Sequence, residues 1–349
     1  MDFAGGNIQV FFGPKEHGAA SDPEKTIVKF IDEARDSLDI AIQELDNERI
    51  TEAILRAARR KKTRKPKERL SIRMILEEDY LREAKPPAPG KKPQYDLNRS
   101  HFTSLLRSAV PAKIDLNPNI FHHKFVVRDY LRDRQAVLTG STNFTETGCH
   151  SNLNAVFIFH NEPITRLYRS EFLEMRHGAF GIRSPARTSP KPVDVGGAKV
   201  QVLFAPDDNP EVEIMKRILK AEDRVDFMMF TFAGSSGIDD ALLRRLEGAK
   251  PLRVRGVLDR DQSKHRWSPR KRLANAGASI RVQKKRVRKL HHKLMVVDDR
   301  YTIGGSFNYT EPANRLNDEN LFIIEDPQIA RYVRREIDRV YDELAVEPR

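Results

Sequence analysis

Short apolar runs alternate with amphipathic segments along this chain, and the alternation is written twice. Ile8 to Pro14 (IQVFFGP) reads as a β-strand ending in a turn. Pro23 to Leu38 then sets Ile27, Phe30, Ile31, Ala34 and Leu38 at helical spacing, with Ser21 or Asp22 placed to cap it. Leu38 to Gln43 predicts a second strand, Arg49 to Lys62 a second helix, and Leu70 to Leu76 a third strand. The series restarts at Val200 to Pro206 (VQVLFAP), followed by a matching helix from Pro210 to Ala221 and matching strands at Val225 to Phe232 and Leu252 to Leu258. Asp326 to Leu344 predicts a last helix. Repetition on this scale implies a duplicated domain rather than a short-repeat solenoid. Strands alternating with helices imply an α/β class, each half a mixed sheet flanked by helices on both faces.

Two segments interrupt the pattern. Residues 183–199 (RSPARTSPKPVDVGGAK) carry Pro, Ser and Gly without apolar periodicity, which reads as a linker between a first domain at 1–182 and a second at 200–349. Residues 85–95 (KPPAPGKKPQY) read as a mobile surface loop within the first half.

A second repeat carries chemistry. The first copy reads FHHKFVVRD and then GSTNFTE; the second reads LHHKLMVVDD and then GSFNYTE. Each gives a His two residues before a Lys and seven before an Asp, with Gly-Ser-x-Asn downstream: His122, Lys124, Asp129, Ser141, Asn143, and His291, Lys293, Asp298, Ser306, Asn308. The β-branched and apolar residues after each Lys predict a strand, so His and Lys share one face. Neutral and protonated histidine are both accessible near neutral pH, which suits nucleophilic or acid–base work. Lysine neutralises a phosphate oxygen and an asparagine amide donates to one, so the set describes a phosphoryl pocket. A lone His-x-Lys is an accident of composition; two copies with matching Asp and Gly-Ser-x-Asn are not. The doubled histidines do not make a metal site, because His123 and His292 point to the opposite face and no carboxylate recurs at ligand spacing. They read as packing residues.

With these motifs in both halves, the chain resembles the phospholipase D superfamily, whose members cleave phosphodiesters in lipids, DNA or RNA without a metal or cofactor. The resemblance implies two similar phospholipase D-like α/β domains packed as a pseudo-dimer, their motifs meeting in one active site, so that no homo-oligomer is required to complete it. It implies that one motif His forms a covalent phosphohistidine while the other protonates the leaving oxygen and then activates water. Lys124, Lys293, Asn143 and Asn308 would hold the non-bridging oxygens. Asp129 and Asp298 would be structural partners at strand ends, and Ser141 and Ser306 polar support. Glu319 follows Asn308 at the spacing where Asn154 follows Asn143. Related enzymes place there a group that buttresses the other half's His, pairing Glu319 with His122 and Asn154 with His291. A carboxylate stabilises charge on an attacking imidazole, which favours His122 as nucleophile and His291 as acid.

Composition narrows the substrate. The 349 residues carry a net charge of +12, with 39% hydrophobic and 32% charged residues. Such an excess favours polyanions, nucleic acid first and an anionic membrane surface second. No run of 18 or more apolar residues and no export signal is evident, and the one cysteine, Cys149, fits a reducing, cytoplasmic location. Three basic runs stand out, at 59–69, 264–272 and 281–289. The last, with Lys284, Lys285, Arg286, Arg288 and Lys289, abuts His291 and predicts a phosphate-binding rim; Trp267 is placed to stack on a base. No exposed-looking aromatic or Leu-rich loop is evident near either motif. The sequence therefore predicts first a nuclease, an endonuclease cutting DNA or RNA, and second a phospholipase or phosphatidyl transferase.

Overall fold

The structure is a computed structural model and describes residues 1–62, 65, 67–82, 96–130, 133–185 and 190–348. The first half runs β1 (Asp2–Phe3), β2 (Ile8–Gly13), α1 (Pro23–Asp32), β3 (Ser37–Ile42), α2 (Glu48–Arg59), β4 (Ser71–Leu76), α3 (Asp96–Arg107), β5 (Ala112–Ile114), β6 (Lys124–Arg128), β7 (Ala136–Gly140), α4 (Glu146–His150), β8 (Asn152–Phe159) and α5 (Glu162–Arg176). The second half repeats the plan: β9 (Val193–Val195), β10 (Ala198–Ala205), α6 (Pro210–Leu219), β11 (Arg224–Met229), α7 (Ile238–Leu246), β12 (Arg253–Leu258), α8 (Arg270–Asn275), β13 (Ser279–Gln283), β14 (Lys289–Leu290), β15 (Lys293–Val297), β16 (Tyr301–Gly305), α9 (Glu311–Arg315), β17 (Glu319–Glu325), α10 (Pro327–Arg339) and β18 (Ala345–Val346).

The predicted α/β class and its duplication are what the sheets display. One sheet has the order β1-β2-β8-β7-β6-β3-β4-β5, and the other β18-β13-β12-β11-β15-β16-β17-β10-β9. Both are mixed: β3 to β5 and β11 to β13 run parallel, and their neighbours antiparallel. Helices α1 and α2 bury Ile27, Phe30, Ile31, Ile50 and Ile54 against one face of the first sheet, and α6 and α7 bury Ile214, Ile218 and Leu242 against the second. A third core lies between the halves, built from Phe157 and Phe159 of one sheet, Phe322 of the other, and the inward faces of α5 and α10. Phe157 and Phe322 have ring centroids 4.6 Å apart, which places the two sheets face to face. Among the described residues, no helix is long and apolar enough to cross a membrane.

The predicted elements are found within a few residues, with two informative differences. Helix α1 ends at Asp32 instead of running to Leu38, because Asp129 accepts bonds from the backbone N–H of Arg35, Asp36 and Ser37 and turns the chain into β3. The segment read as a linker supplies β9, paired antiparallel with β10. Gly196 and Gly197 stand at φ of 62° and 93°, so the Gly pair read as linker is the tight turn of a hairpin. The second sheet thus begins before residue 200. The loop predicted at 85–95 lies outside the described residues.

Candidate active site

Two crossed backbone pairings bring the motifs together. Leu290 pairs with Leu153 of the opposite half, and Phe121 with Asp318. The N–H of His291 donates to the Leu153 carbonyl and that of His122 to the Asp318 carbonyl, each at 2.9 Å. Each motif histidine is therefore positioned by the strand that follows the other half's Gly-Ser-x-Asn.

The side chains cross in the same way. His122 Nδ1 is 2.7 Å from Glu319 Oε2, which also accepts from Ser306 Oγ at 2.6 Å. His291 Nδ1 is 3.0 Å from Asn154 Oδ1, which accepts from Ser141 Oγ at 2.8 Å. The serines thus fix the buttress of the opposite histidine. Gly140 and Gly305, at φ of 148° and 138°, make this possible: a Cβ there would stand 2.2 Å from the Ala155 carbonyl oxygen and 2.3 Å from that of Asn320. The Thr of each TE pair caps the next short helix, Thr145 accepting from Gly148 N and Thr310 from Ala313 N.

Two buried lysines form the floor of the site. Lys124 and Lys293 are 1% and 2% exposed, and each donates to the carbonyl of its own motif His, at 2.7 and 2.9 Å. Burial pushes the Lys124 ammonium down to about 7, opposed by Glu319, Glu44 and Glu77. Lys293 falls well below its ordinary range through burial and then through Lys124. Burial, with both lysines adding to it, likewise holds His122 and His291 well below the usual histidine range. Glu319, wholly buried, is raised to about 7 by burial. Two neutral imidazoles thus face two lysines whose charge burial disfavours and the nearby carboxylates only partly restore, an arrangement in which a bound anion would favour the ammonium form.

His123 and His292 are fully buried on the other face, among Phe121, Phe125 and Phe204 in one case and Phe12 in the other, and burial lowers both to about 3. Asp129 and Asp298 lie at the far ends of β6 and β15, where each accepts backbone N–H bonds from the turn before the neighbouring strand. At about 3.3 Å per residue they stand roughly 20 Å from the histidines of their motifs. A cavity of about 1150 Å³ lies at that distant end of the first sheet, lined by Asp129, Arg128 and Arg60, and holds no motif His or Lys.

Sequence reasoning missed four lining residues. Gln43 accepts from Lys124 Nζ at 2.8 Å, and Glu44 accepts from Asn143 Nδ2 at 2.7 Å. The amide expected to hold a phosphate oxygen is thus engaged by a carboxylate, whose pKa burial raises against the opposing pull of Lys124. Glu77 accepts from the N–H of Phe121 and is raised to about 8 by burial and by Asp115. At the equivalent of Gln43 the second half has Phe230, its ring 4.8 Å from His291 and 4.9 Å from Lys293 Nζ. Residues 43, 44 and 230 lie at the ends of the repeated strands, so only an alignment of the two halves would have exposed this asymmetry.

The predicted rim divides. Lys289 approaches the Phe230 ring at 5.6 Å, and Arg288 acts on Asp46, so both stand at the mouth. Lys284 and Arg286 instead donate to the Glu343 carbonyl; Lys285 is exposed. Trp267 is half-exposed and stacks on His265 with centroids 5.0 Å apart. The run at 59–69, where described, ties Lys62 and Lys65 to Glu68. Residues 114–120, leading into His122, are neither aromatic nor Leu-rich, yet they expose Ile114, Leu116 and Ile120 beside a motif, which the sequence reading did not single out. Three separated aliphatic residues in a polar stretch gave no Leu-rich signal.

Comparison with known proteins agrees with this geometry. Residues 27–176 and 214–341 each match the family model described as "Cardiolipin synthase, PLD-like domain". The chain is 31% identical over 118 residues to a mitochondrial cardiolipin hydrolase of Chlamydomonas reinhardtii, covering 34% of this chain and 51% of that protein. It is 30% identical over 151 residues to a phospholipase D of Rickettsia conorii, covering 42% of this chain and 72% of that protein. It thus spans about half the length of the cardiolipin hydrolase it matches. The phosphatidylserine synthase of Haemophilus influenzae superposes with a TM-score of 0.67 at 13% identity, covering 99% of this chain and 88% of that one, a likeness of fold. With matches in both halves, the chain belongs to the phospholipase D superfamily.

Proposed function

We propose that this chain is a metal-independent phosphodiesterase that acts on phospholipids through a covalent phosphohistidine on His122. The observation that carries the chemistry is the crossed pair of buttressed histidines above two buried lysines. The Nδ1–H of His122 donates to Glu319, which leaves the Nε2 lone pair free to attack phosphorus. The P–O bond breaks with its electron pair on the leaving oxygen, which takes a proton from His291 Nε2. Burial first and the two lysines second hold both imidazoles neutral before binding; the bound diester's negative charge opposes that effect, so His291 takes up a proton from solvent at Nε2, and this is the proton it gives to the leaving oxygen. Water then loses a proton to His291 and attacks phosphorus, and the P–N bond returns its pair to His122. Two displacements give retention at phosphorus. Glu319 stabilises the imidazolium character that builds on His122, which Asn154 does not do for His291.

The substrate class rests on the names of the relatives, cardiolipin hydrolase and phospholipase D. Nucleic acid is the second reading, favoured by Arg288 and Lys289 at the mouth and the net charge of +12. Labelled anionic phospholipid vesicles, DNA and RNA incubated in excess EDTA with wild type, His122→Ala and His291→Ala separate the two. Headgroup release that survives EDTA and is abolished by either substitution supports the proposal; cleavage confined to nucleic acid replaces it with the second reading.

A further inference from the structure

The stretch IDLNPNI, residues 114–120, has its alternation inside out. Ile114, Leu116 and Ile120 are 37%, 60% and 45% exposed, whereas Asp115 and Asn117 between them are 0% and 8% exposed. A strand on a folded core normally buries its apolar face and shows its polar one. Here the polar side chains anchor the segment. Asp115 accepts from the N–H of Glu78 and of Asn117, at 2.7 and 2.9 Å. Asn117 Nδ2 donates to Asp318 Oδ2 at 2.7 Å and to the Leu316 carbonyl at 2.9 Å. Asp318 also accepts from the N–H of Gly181 at 2.7 Å, which seats residue 182 beside the same anchor. Ile182 is 71% exposed there. Three aliphatic side chains thus stand outward on a segment held by buried polar bonds, and Ile182 stands outward beside the same anchor.

Their position limits what covers them. The segment runs directly into Phe121 and His122, and Asp318, which clamps it, is the neighbour of Glu319. Lys113, Arg183 and Arg315 are exposed cations next to these residues in sequence or at the same anchor. Aliphatic side chains among cations on the stretch that leads into a motif His match the layering of an anionic bilayer, with phosphate headgroups above acyl chains. We infer that Ile114, Leu116, Ile120 and Ile182 form a docking face for an anionic lipid bilayer, which brings a headgroup phosphate to His122. This deepens the phospholipid reading above and rests on it.

The test uses the full chain and a Leu116→Ser/Ile120→Ser/Ile182→Ser variant, whose changes are all at exposed positions. Co-sedimentation is measured with vesicles of equal phosphatidylcholine and phosphatidylglycerol and with phosphatidylcholine vesicles alone. Turnover is measured on the same mixed vesicles, on phosphatidylglycerol in detergent micelles, and on soluble bis(p-nitrophenyl) phosphate. The inference expects wild type to bind the anionic vesicles and the variant to bind at least about tenfold more weakly. It expects the loss to extend to vesicle turnover, with turnover of the soluble diester at the wild-type level. Equal vesicle binding by the two proteins, or none by either, overturns it. Micellar phospholipid cleaved by both, with equal vesicle turnover, overturns the docking face and leaves the phospholipid reading standing. Patch-dependent vesicle binding with no cleavage of any phospholipid supports the face and removes that reading. A dimeric wild type that the variant renders monomeric shows that a second copy covers the patch, and overturns the inference.

Discussion

Replacing Glu319 by Gln asks what the asymmetry between the halves does. The side chain keeps its size, and Ser306 keeps a possible acceptor, so packing at this wholly buried position is conserved. What is lost is the negative charge 2.7 Å from His122 Nδ1. A hydrogen bond to a charged group contributes about 1.5 to 3 kcal/mol, which corresponds to a fall of roughly 10- to 150-fold in the rate of phosphohistidine formation. Because the imidazolium exists only as attack proceeds, kcat and kcat/KM should fall together. A second effect has a definite sign. Glu319 raises the pKa of both Lys124 and Lys293. Without it these pKa values drop, and the lysines lose the protons needed to hold phosphate at lower pH. The alkaline limb of kcat/KM therefore moves toward acid. Burst kinetics on bis(p-nitrophenyl) phosphate across pH measures both effects. Activity within a factor of about two of wild type, with an unmoved alkaline limb, would refute the role given to Glu319.

Three other outcomes follow from the same geometry. Glu44→Gln removes the carboxylate that engages Asn143 and should strengthen inhibition by inorganic phosphate where Lys124 keeps its proton; because Glu44 also raises the pKa of Lys124, the alkaline limb of that inhibition should move toward acid. Phosphate at a hundred times its dissociation constant should stabilise wild type by about 2.7 kcal/mol, and thermal melts of Lys124→Met and Lys293→Met should lack that rise. Gly140→Ala places a Cβ 2.2 Å from the Ala155 carbonyl, and urea unfolding should show a loss of about 2 kcal/mol or more.

Much of this architecture was legible because the repeat gave every signal twice. Strand β2 and strand β10, and helix α1 and helix α6, announce themselves by periodicity, and Asp22 by cap chemistry, whereas the two capping Thr residues were not read from the sequence. The cross-half pairing of Glu319 with His122 was legible through the family resemblance, as only folding brings residues so distant in sequence within 2.7 Å. What stayed hidden depends on tertiary context. Glu44 and Phe230 carry no motif, and their placement follows from where β3 and β11 end. Gly196 and Gly197 read as linker, and only the pairing of β9 with β10 makes them a hairpin turn. Leu116 and Ile120 look like ordinary core residues in sequence, and only the burial of Asp115 and Asn117 turns them outward.

The central claim is that two histidines from two halves form one covalent phosphodiester site, with His122 as nucleophile. Quench in alkaline denaturant followed by peptide mass spectrometry at neutral to alkaline pH, where the P–N bond survives, on wild type and His291→Asn turning over bis(p-nitrophenyl) phosphate in excess EDTA, tests it most directly. The activated leaving group needs no proton, whereas hydrolysis of the adduct needs His291 as base. The account predicts a phosphoryl adduct on the peptide containing His122 that accumulates in His291→Asn. An adduct on His291 in wild type, no adduct in either protein, or activity abolished by EDTA would contradict it.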